Sequence, residues 1–402
     1  MKNLLFITWD GPQTSYMEGL FLPIFHAVKE KKDINFHIIQ FTWADSEKAN
    51  AIQKLAEKLE IKYTTFPISR KPHPIIGSGF TVWKGIKFIK NYILKNQIDT
   101  LMPRSTMPAL MVNRIKKSSF GGIRGKGKLI FDADGLPLEE RIDFVGLSEK
   151  SKQYRFLKSE ESKIIQNADV VITRSHRSIQ HHLDQNKTLD KAKFHVVLNG
   201  RNSDFFKPDS EKRILKRKEL NINIDEKVFV YCGSLGAQYG WKEMTEIVEK
   251  YKKNHPAKFL ILTGNTEFAE KNLPESLKPI TIILSLPFEK IPEYLNIADV
   301  AFAIRDPKPS MKGVSPIKLG EYLLMNLPTI ASSGIGDTDE IISQTPDCFI
   351  FDHQNENKIE KAVRFVEELK NIKSDEIRTI GKKYFSLEKS AESYIKALNA
   401  IN

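Results

Sequence analysis

"SPIKLGEYLLMNLPTIASSG", residues 315–334, reads as a helix that stops abruptly and hands the chain to a strand. Ser315 suits an N-cap, and Pro316 suits the first helical position, where its missing N–H costs nothing. Asn326 suits a left-handed cap, and Pro328 forbids continuation. "TIAS" is then a short buried strand running into a Ser/Gly loop. A helix start with Lys318 close behind it offers an anion site. A carboxylate at Glu321 would suit a pair of sugar hydroxyls. The same spacing equally describes a capped surface helix whose charges are merely solvated.

The helix-then-strand unit recurs throughout the chain. "NLLFITW", "FHIIQFT", "TLMP", "KLIFDAD", "DVVITRS" and "FHVVLNG" are separated by stretches with helical periodicity. A second series follows: "VFVYCGS", "KFLILTG", "ITIILS", "VAFAI", "PTIAS" and "CFIFD". Strands alternating with helices predict parallel sheets covered on both faces. Two series predict an α/β chain of two doubly wound, Rossmann-like domains. The polar stretch "NGRNSDFFKPDSEKR", 199–213, marks the break. The expected domains are residues 1–205 and 206–382, with 383–402 a C-terminal amphipathic helix that packs back on the first. Ligands of such sheets bind beyond the carboxyl ends of the strands.

Two domains also fit the length of 402 residues. A hydrophobic content of 41% and a charged content of 28% are those of an ordinary globular protein. No apolar run approaches the ~18 residues of a membrane span. "MKNLLFITWD" has too short an apolar stretch for a signal peptide and reads as a first strand. Cys232 and Cys348, both in apolar strand contexts, suggest buried thiols and a cytoplasmic location. The net charge of +12 is unevenly placed: Lys and Arg outnumber Asp and Glu by 32 to 20 over residues 1–200 and balance at 30 each over 201–402. The asymmetry points to a polyanionic partner for the first half. Homeodomain, zinc-finger, RRM and KH signatures are absent, which argues against nucleic acid. An anionic membrane or a phosphorylated substrate remains, with compositional bias as the bland alternative.

Candidate chemistry lies at strand ends. "WDGPQTSYMEGL" follows the first strand, with Gly11 and Pro12 turning the chain into a helix expected near Thr14. It contains neither G-x-G-x-x-G nor a Walker sequence. "YCGSLGAQYGWKEM", 231–244, is the matching loop of the second half, with Gly233, Gly236 and Lys242 at the next helix. "FDADGLPLEER" sets Asp132 and Asp134 at one strand end, and "PRSTMPA" sets Arg104 and Ser105 at another. No His/Cys/Asp set completes a metal shell. "SHRSIQHHLD" has no metal-ligand spacing, so its histidines read as surface or satisfied groups. "TVWKGIKFIKNYILK", 81–95, is a helix with a stripe of Val82, Ile86, Ile89 and Ile93. Lys84, Lys87, Lys90 and Lys95 surround that stripe. It is either a core helix with a lysine-covered outer face or a face lying on anionic lipid. The "RGKGK" tract at 124–128 is a second basic cluster.

The segment S-P-x-K-x-x-E-Y at 315–322 resembles the donor site of GT-B-fold glycosyltransferases of family 4. "IFDADGLPLEER", "ADVVITRS" with "VVLNGRNSDFFKP", "VYCGSLG…WK" and "PFEKIPEYLNIADVAF" resemble further motifs of that family, in the same order. The resemblance implies two Rossmann-like domains facing a cleft, an N-terminal one for the acceptor and a C-terminal one for a nucleotide sugar, UDP- or GDP-linked. It implies transfer of the sugar to an acceptor hydroxyl with retention and without a bound metal or other cofactor. Fixed positive charge and amide dipoles would stabilise the leaving diphosphate. The donor would meet Gly233, Ser234, Lys242, Arg305, Ser315, Lys318 and Glu321, with Glu321 on the ribose and Lys242 foremost on the diphosphate. Asp132, Arg104 and Lys242 are the implied catalytic residues, and Gly11, Gln13 and Asp134 the acceptor side. Gly313 stands where the broader family often has a sugar-contacting glutamate, and Ser234 where it often has arginine. The expected role is surface polysaccharide or glycolipid assembly on an anionic, lipid-linked glycan acceptor, peripheral to the inner face of a membrane. A soluble protein or metabolite acceptor and a catalytically silent relative are the other readings.

Overall fold

The computed structural model describes residues 2–12, 14–116, 119–120, 127–369 and 375–401. Gln13 lies outside the described residues, as do residues 124–126 of the basic tract. The chain divides into two compact units, Met1–Leu198 with Ser390–Asn402, and Asn199–Lys389.

The first unit is built on seven strands: β1 (Lys2–Asp10), β2 (Ile34–Thr42), β3 (Lys62–Pro67), β4 (Thr100–Pro103), β5 (Lys128–Asp134), β6 (Val170–Thr173) and β7 (Phe194–Val196). Their order is β3-β2-β1-β4-β5-β6-β7, and every pair is parallel. Helices cover both faces of such a sheet, so its central strands read as continuous apolar runs rather than alternating ones. Leu4, Leu5, Phe6 and Ile7 of β1 are all buried. Leu5 and Ile7 join Phe41 and Phe131 in the core on one face. On the other face Phe6, Phe21, Phe25 and Phe36 pack ring to ring, Phe25 and Phe36 stacked at 4.6 Å. Tyr394, from the C-terminal segment, meets Phe25 edge-on at 5.9 Å. Ser390 Oγ donates to the Leu198 carbonyl at 2.6 Å.

The second unit has six strands: β8 (Lys227–Cys232), β9 (Ala257–Leu262), β10 (Thr281–Leu284), β11 (Val300–Ala303), β12 (Thr329–Ser332) and β13 (Phe349–Phe351). Their order is β10-β9-β8-β11-β12-β13, again all parallel. The strand period of two divides β8 between two cores. Val228, Val230 and Cys232 face one, Phe229 and Tyr231 the other.

Both sheets are doubly wound, as the alternation of the sequence predicts. One strand escapes that reading: β3, "KYTTFP", is an edge strand with polar and exposed positions. In each sheet the winding direction reverses beside the first strand, between β1 and β4 and between β8 and β11. Ligands of open parallel sheets bind outside the carboxyl ends at such switch points. The switch points place Asp10 beside Arg104 in one unit and Gly233 beside Arg305 in the other.

Candidate active site

In the second unit, the helix Ile317–Leu324 carries Lys318, Glu321 and Tyr322 on one face, since residues three and four apart are neighbours on a helix. Its start differs from the sequence expectation. Pro316, at φ −69° and ψ 111°, is the capping residue and Ser315 precedes it. Ser315 instead presents its carbonyl to Asn199 Nδ2 at 3.1 Å. The stop is as read, with Asn326 left-handed at φ 58°. Glu321 is not a solvated surface group: it is 7% exposed, and Oε1 accepts from Arg201 Nε at 2.8 Å.

Lys318 reaches the end of β8. Its Nζ donates to the Tyr231 hydroxyl at 2.6 Å, and that hydroxyl donates in turn to the Ser234 carbonyl. The ammonium sits 4.1 Å from the centre of the Tyr231 ring and 4.3 Å from that of Tyr239. Gly233, at φ 135°, is required here twice over: the backbone is one that L side chains rarely adopt, and a Cβ would lie 3.1 Å from Lys318 Nζ. Burial pushes the Lys318 pKa well below the usual lysine range, and Arg305 pushes it the same way.

Arg305 follows β11. Its Nη1 donates to Gln238 Oε1 at 3.1 Å, and its guanidinium lies 4.8 Å from the Tyr239 ring. Its backbone N–H donates to Ser332 Oγ at 2.9 Å, and Ser332 Oγ is 2.8 Å from His353 Nε2. His353 Nδ1 is 3.9 Å from Glu243. Burial lowers the His353 pKa, against Glu243, which raises it. Among the described residues neither Lys318 nor Arg305 is ion-paired to a carboxylate. Two basic side chains thus lie at a strand-end switch point, the place where open parallel sheets bind ligands.

Lys242 is placed differently. It occupies the first turn of the helix Trp241–Tyr251, four-fifths exposed, with Glu246 3.7 Å away. The structure thus gathers Gly233, Ser234, Arg305, Lys318 and Glu321 and leaves the Lys242 side chain in solvent. Neither Arg201, which lies within the quoted "VVLNGRNSDFFKP", nor His353 is singled out by the sequence. The available signals are that motif for Arg201, at the domain break, and for His353 its place just after the last strand.

The first unit gathers its own charges. Arg104 Nη1 is 3.1 Å from Asp10 Oδ1, and Nη2 is 2.7 Å from Asp134 Oδ2. Arg174 Nη2 is 2.8 Å from Asp132 Oδ2 and Nε 3.8 Å from Asp134 Oδ1. Asp132 is fully buried, and its Oδ1 accepts from the Asp134 backbone at 2.9 Å. Burial raises the Asp132 pKa, while Arg174 lowers it. Asp134 is the member that reaches solvent, its side chain 32% exposed and its φ +65°. Gly11 sits in the loop after β1, its carbonyl accepting from Thr14 Oγ1 at 3.1 Å. Helical structure there begins at Met17, later than the expected Thr14. Asp10 and Arg174, missed by the sequence, complete the cluster. The histidine-rich "SHRSIQHHLD" corrects another expectation: His182 is buried, and its Nε2 has no hydrogen-bond partner. Burial takes its pKa down to about 3.

Two parallel α/β units, each with charged groups at its switch point, define a GT-B-type chain. Residues 212–384 match the family described as Glycosyl transferases group 1. No curated protein sequence matches the chain. Among solved structures, a glycosyltransferase from Rickettsia africae superposes with a TM-score of 0.71 at 16% identity, over 100% of this chain and 98% of its own. Anabaena Alr3699/HepE in complex with UDP gives 0.70 at 15% identity, over 100% of both chains. Its complex with UDP-glucose gives 0.67 at 13% identity, again over 100% of both. The apo form of WaaB, a lipopolysaccharide outer core galactosyltransferase, gives 0.68 at 13% identity over 99% of both. At these identities the likeness establishes the fold. Residues 212–384, within the second unit, thus carry the group 1 glycosyltransferase match, in a chain whose two units have the GT-B fold.

Proposed function

We propose that the second unit holds a uridine diphosphate sugar at the β8/β11 switch point and that the chain transfers the sugar, with retention, to a hydroxyl of an anionic, lipid-linked glycan. The observation that carries the donor half is Lys318, partly buried against Gly233 and, among the described residues, in no ion pair with a carboxylate. Lys318 and Arg305 take the diphosphate, and their charge grows in value as the sugar leaves and the phosphate gains charge. Glu321 takes the ribose hydroxyls through the oxygen that Arg201 does not engage. The uridine preference draws on the Anabaena complexes with UDP and UDP-glucose.

Two features favour an anionic acceptor handled by the first unit. That half of the chain carries the whole charge excess. Asp134 offers a partly exposed carboxylate at a strand end. No helix among the described residues is long and apolar enough to cross a membrane.

Thermal-shift and calorimetric titration with UDP-, GDP- and dTDP-sugars tests the donor half, because a ligand that binds only the native state raises its stability by mass action. Stabilisation by UDP-sugars that Lys318→Met abolishes is the expected result. Selective stabilisation by a GDP-sugar would move the base assignment, and no response to any nucleotide would refute the donor site.

A further inference from the structure

The helix Pro74–Asn96 is amphipathic in an unusual way: it has a core stripe and, on its outer side, a second apolar patch. Val82, Ile89 and Ile93 are buried, as the sequence stripe predicts. On the outside, Ile75 and Ile76 are each 61% exposed, Phe80 50% and Trp83 67%. Ile76, Phe80, Trp83, Lys87 and Lys90 recur three or four residues apart, so one outer face is apolar in its first turns and basic after them. Phe80 and Trp83 stack at 5.9 Å, and Lys84 Nζ lies 4.3 Å from the Phe80 ring centre.

The patch is held in place from behind. A Cβ at Gly77 would lie 2.3 Å from the Ser69 carbonyl oxygen, so the helix presses directly on the segment leaving β3. Thr81 Oγ1 clamps the contact, accepting from Ser69 N and donating to Gly77 O, both at 2.9 Å.

The surrounding charge selects the partner. Between Glu60 and Asp99 the chain has seven Lys and Arg residues (62, 70, 71, 84, 87, 90 and 95) and no Asp or Glu. A two-fold contact with a second copy would set this face against itself, lysines against lysines. Large aliphatic and aromatic side chains rimmed by lysine fit the interface of an anionic bilayer, where rings sit at headgroup depth and lysines reach the phosphates. We propose that the first three turns of this helix, Ile75, Ile76, Phe80 and Trp83, insert into an anionic lipid surface, with Arg70, Lys71, Lys84 and Lys87 on its headgroups. The proposal deepens the membrane-facing half of the function above and rests on it only for its purpose, not for its chemistry.

The test uses the full-length protein with phosphatidylcholine vesicles, with and without phosphatidylglycerol, followed by flotation and tryptophan emission. Wild type should float only with the anionic vesicles and shift its emission to the blue. Phe80→Ser with Trp83→Ser should lose the shift and weaken flotation tenfold or more. Lys84→Gln with Lys87→Gln should weaken it by about 30-fold at low salt while keeping the direction of the shift. These side chains are exposed, so unfolding midpoints should stay at the wild-type value. UDP affinity, measured on the same samples, separates the two proposals: lost flotation with intact UDP binding sinks only the membrane face, and lost UDP binding with intact flotation sinks only the donor site. Equal flotation by wild type and the serine variant would overturn insertion. So would a wild-type dimer that the serine variant converts to a monomer, which would give the patch to a second copy.

Discussion

Arg201 donates through Nε to Glu321 Oε1 at 2.8 Å, and each side chain is only 10% exposed. Glu321 is therefore half of a buried ion pair as well as a candidate sugar ligand, and the two roles respond differently to substitution. Glu321→Ala would take the carboxylate away from a buried guanidinium, and breaking such a pair costs about 3–5 kcal/mol. Glu321→Gln keeps an acceptor oxygen and the volume. The alanine variant should show a clearly lower urea midpoint. The glutamine variant should fold and bind UDP more weakly, by about 10- to 100-fold if one charged hydrogen bond of ~1.5–3 kcal/mol is weakened. Wild-type UDP affinity in Glu321→Gln removes the ribose assignment. An unchanged midpoint in Glu321→Ala removes the pair from the stability account.

The second prediction contrasts two lysines. Lys318 is partly buried against the rings of Tyr231 and Tyr239, whereas Lys242 is 82% exposed. Removing a charge-assisted contact to phosphate by Lys318→Met should lower UDP affinity by about 10- to 100-fold, with uridine affinity unchanged. Lys242→Ala removes a solvated charge and should alter UDP affinity by less than about fivefold. Calorimetry with UDP and uridine on both variants distinguishes them. The reverse ranking would return the diphosphate to Lys242.

The third prediction follows from the burial of Lys318, which holds its folded pKa well below the ordinary 10.5. Between those two values the unfolded chain binds more protons than the folded one, so raising the pH stabilises the fold. The gain is complete only near the unfolded pKa. Tyr231 and Tyr322, raised above 10.0 by burial, act in the opposite sense only at higher pH. Urea midpoints from neutral pH to about 9.5 should therefore rise more steeply for wild type than for Lys318→Met. A bound diphosphate favours the charged form, so at pH values where the free lysine is partly deprotonated UDP binding should take up protons and its heat should vary with the ionisation enthalpy of the buffer. Parallel pH slopes for the two proteins would contradict a depressed Lys318.

Much of this architecture is legible in the sequence because buried parallel strands are continuous apolar runs. "KLIFDAD" and "TLMP" are strands to the residue, as Lys128–Asp134 and Thr100–Pro103. β3 is not legible because an edge strand answers to solvent on one side and carries Lys62, Thr64 and Thr65. The site is legible where chemistry is local. Lys318 and Glu321 share one helical turn, and Gly233 ends a strand. It is illegible where the chain meets itself at a distance. Arg201 lies 120 residues from Glu321, and Arg174 lies 42 from Asp132. No spacing rule joins such pairs. On paper Lys242 is the foremost phosphate ligand and Lys318 the second, and only the fold shows that it is Lys318 that packs against the glycine loop.

The last prediction concerns the two acids of "FDADG". Asp132 has no exposure, and both its oxygens are engaged, one by the Asp134 backbone and one by Arg174. Asp134 keeps a partly exposed side chain on a left-handed backbone that only its neighbours enforce. Asp132 should therefore act by holding Arg174 and the turn, and Asp134 by touching what binds there. Asp132→Asn should lower stability by about 3–5 kcal/mol, the cost of breaking a buried pair, with the folded fraction still releasing UDP from UDP-sugar at a rate near wild type. Asp134→Asn should leave the urea midpoint within about 1 kcal/mol of wild type, since its carboxylate is partly solvated, yet slow UDP release when acceptor is present. Measuring both quantities on both variants decides the assignment. A stable but inactive Asp132→Asn would make the buried acid a participant in the reaction, and a fully active Asp134→Asn would take the acceptor away from this strand end.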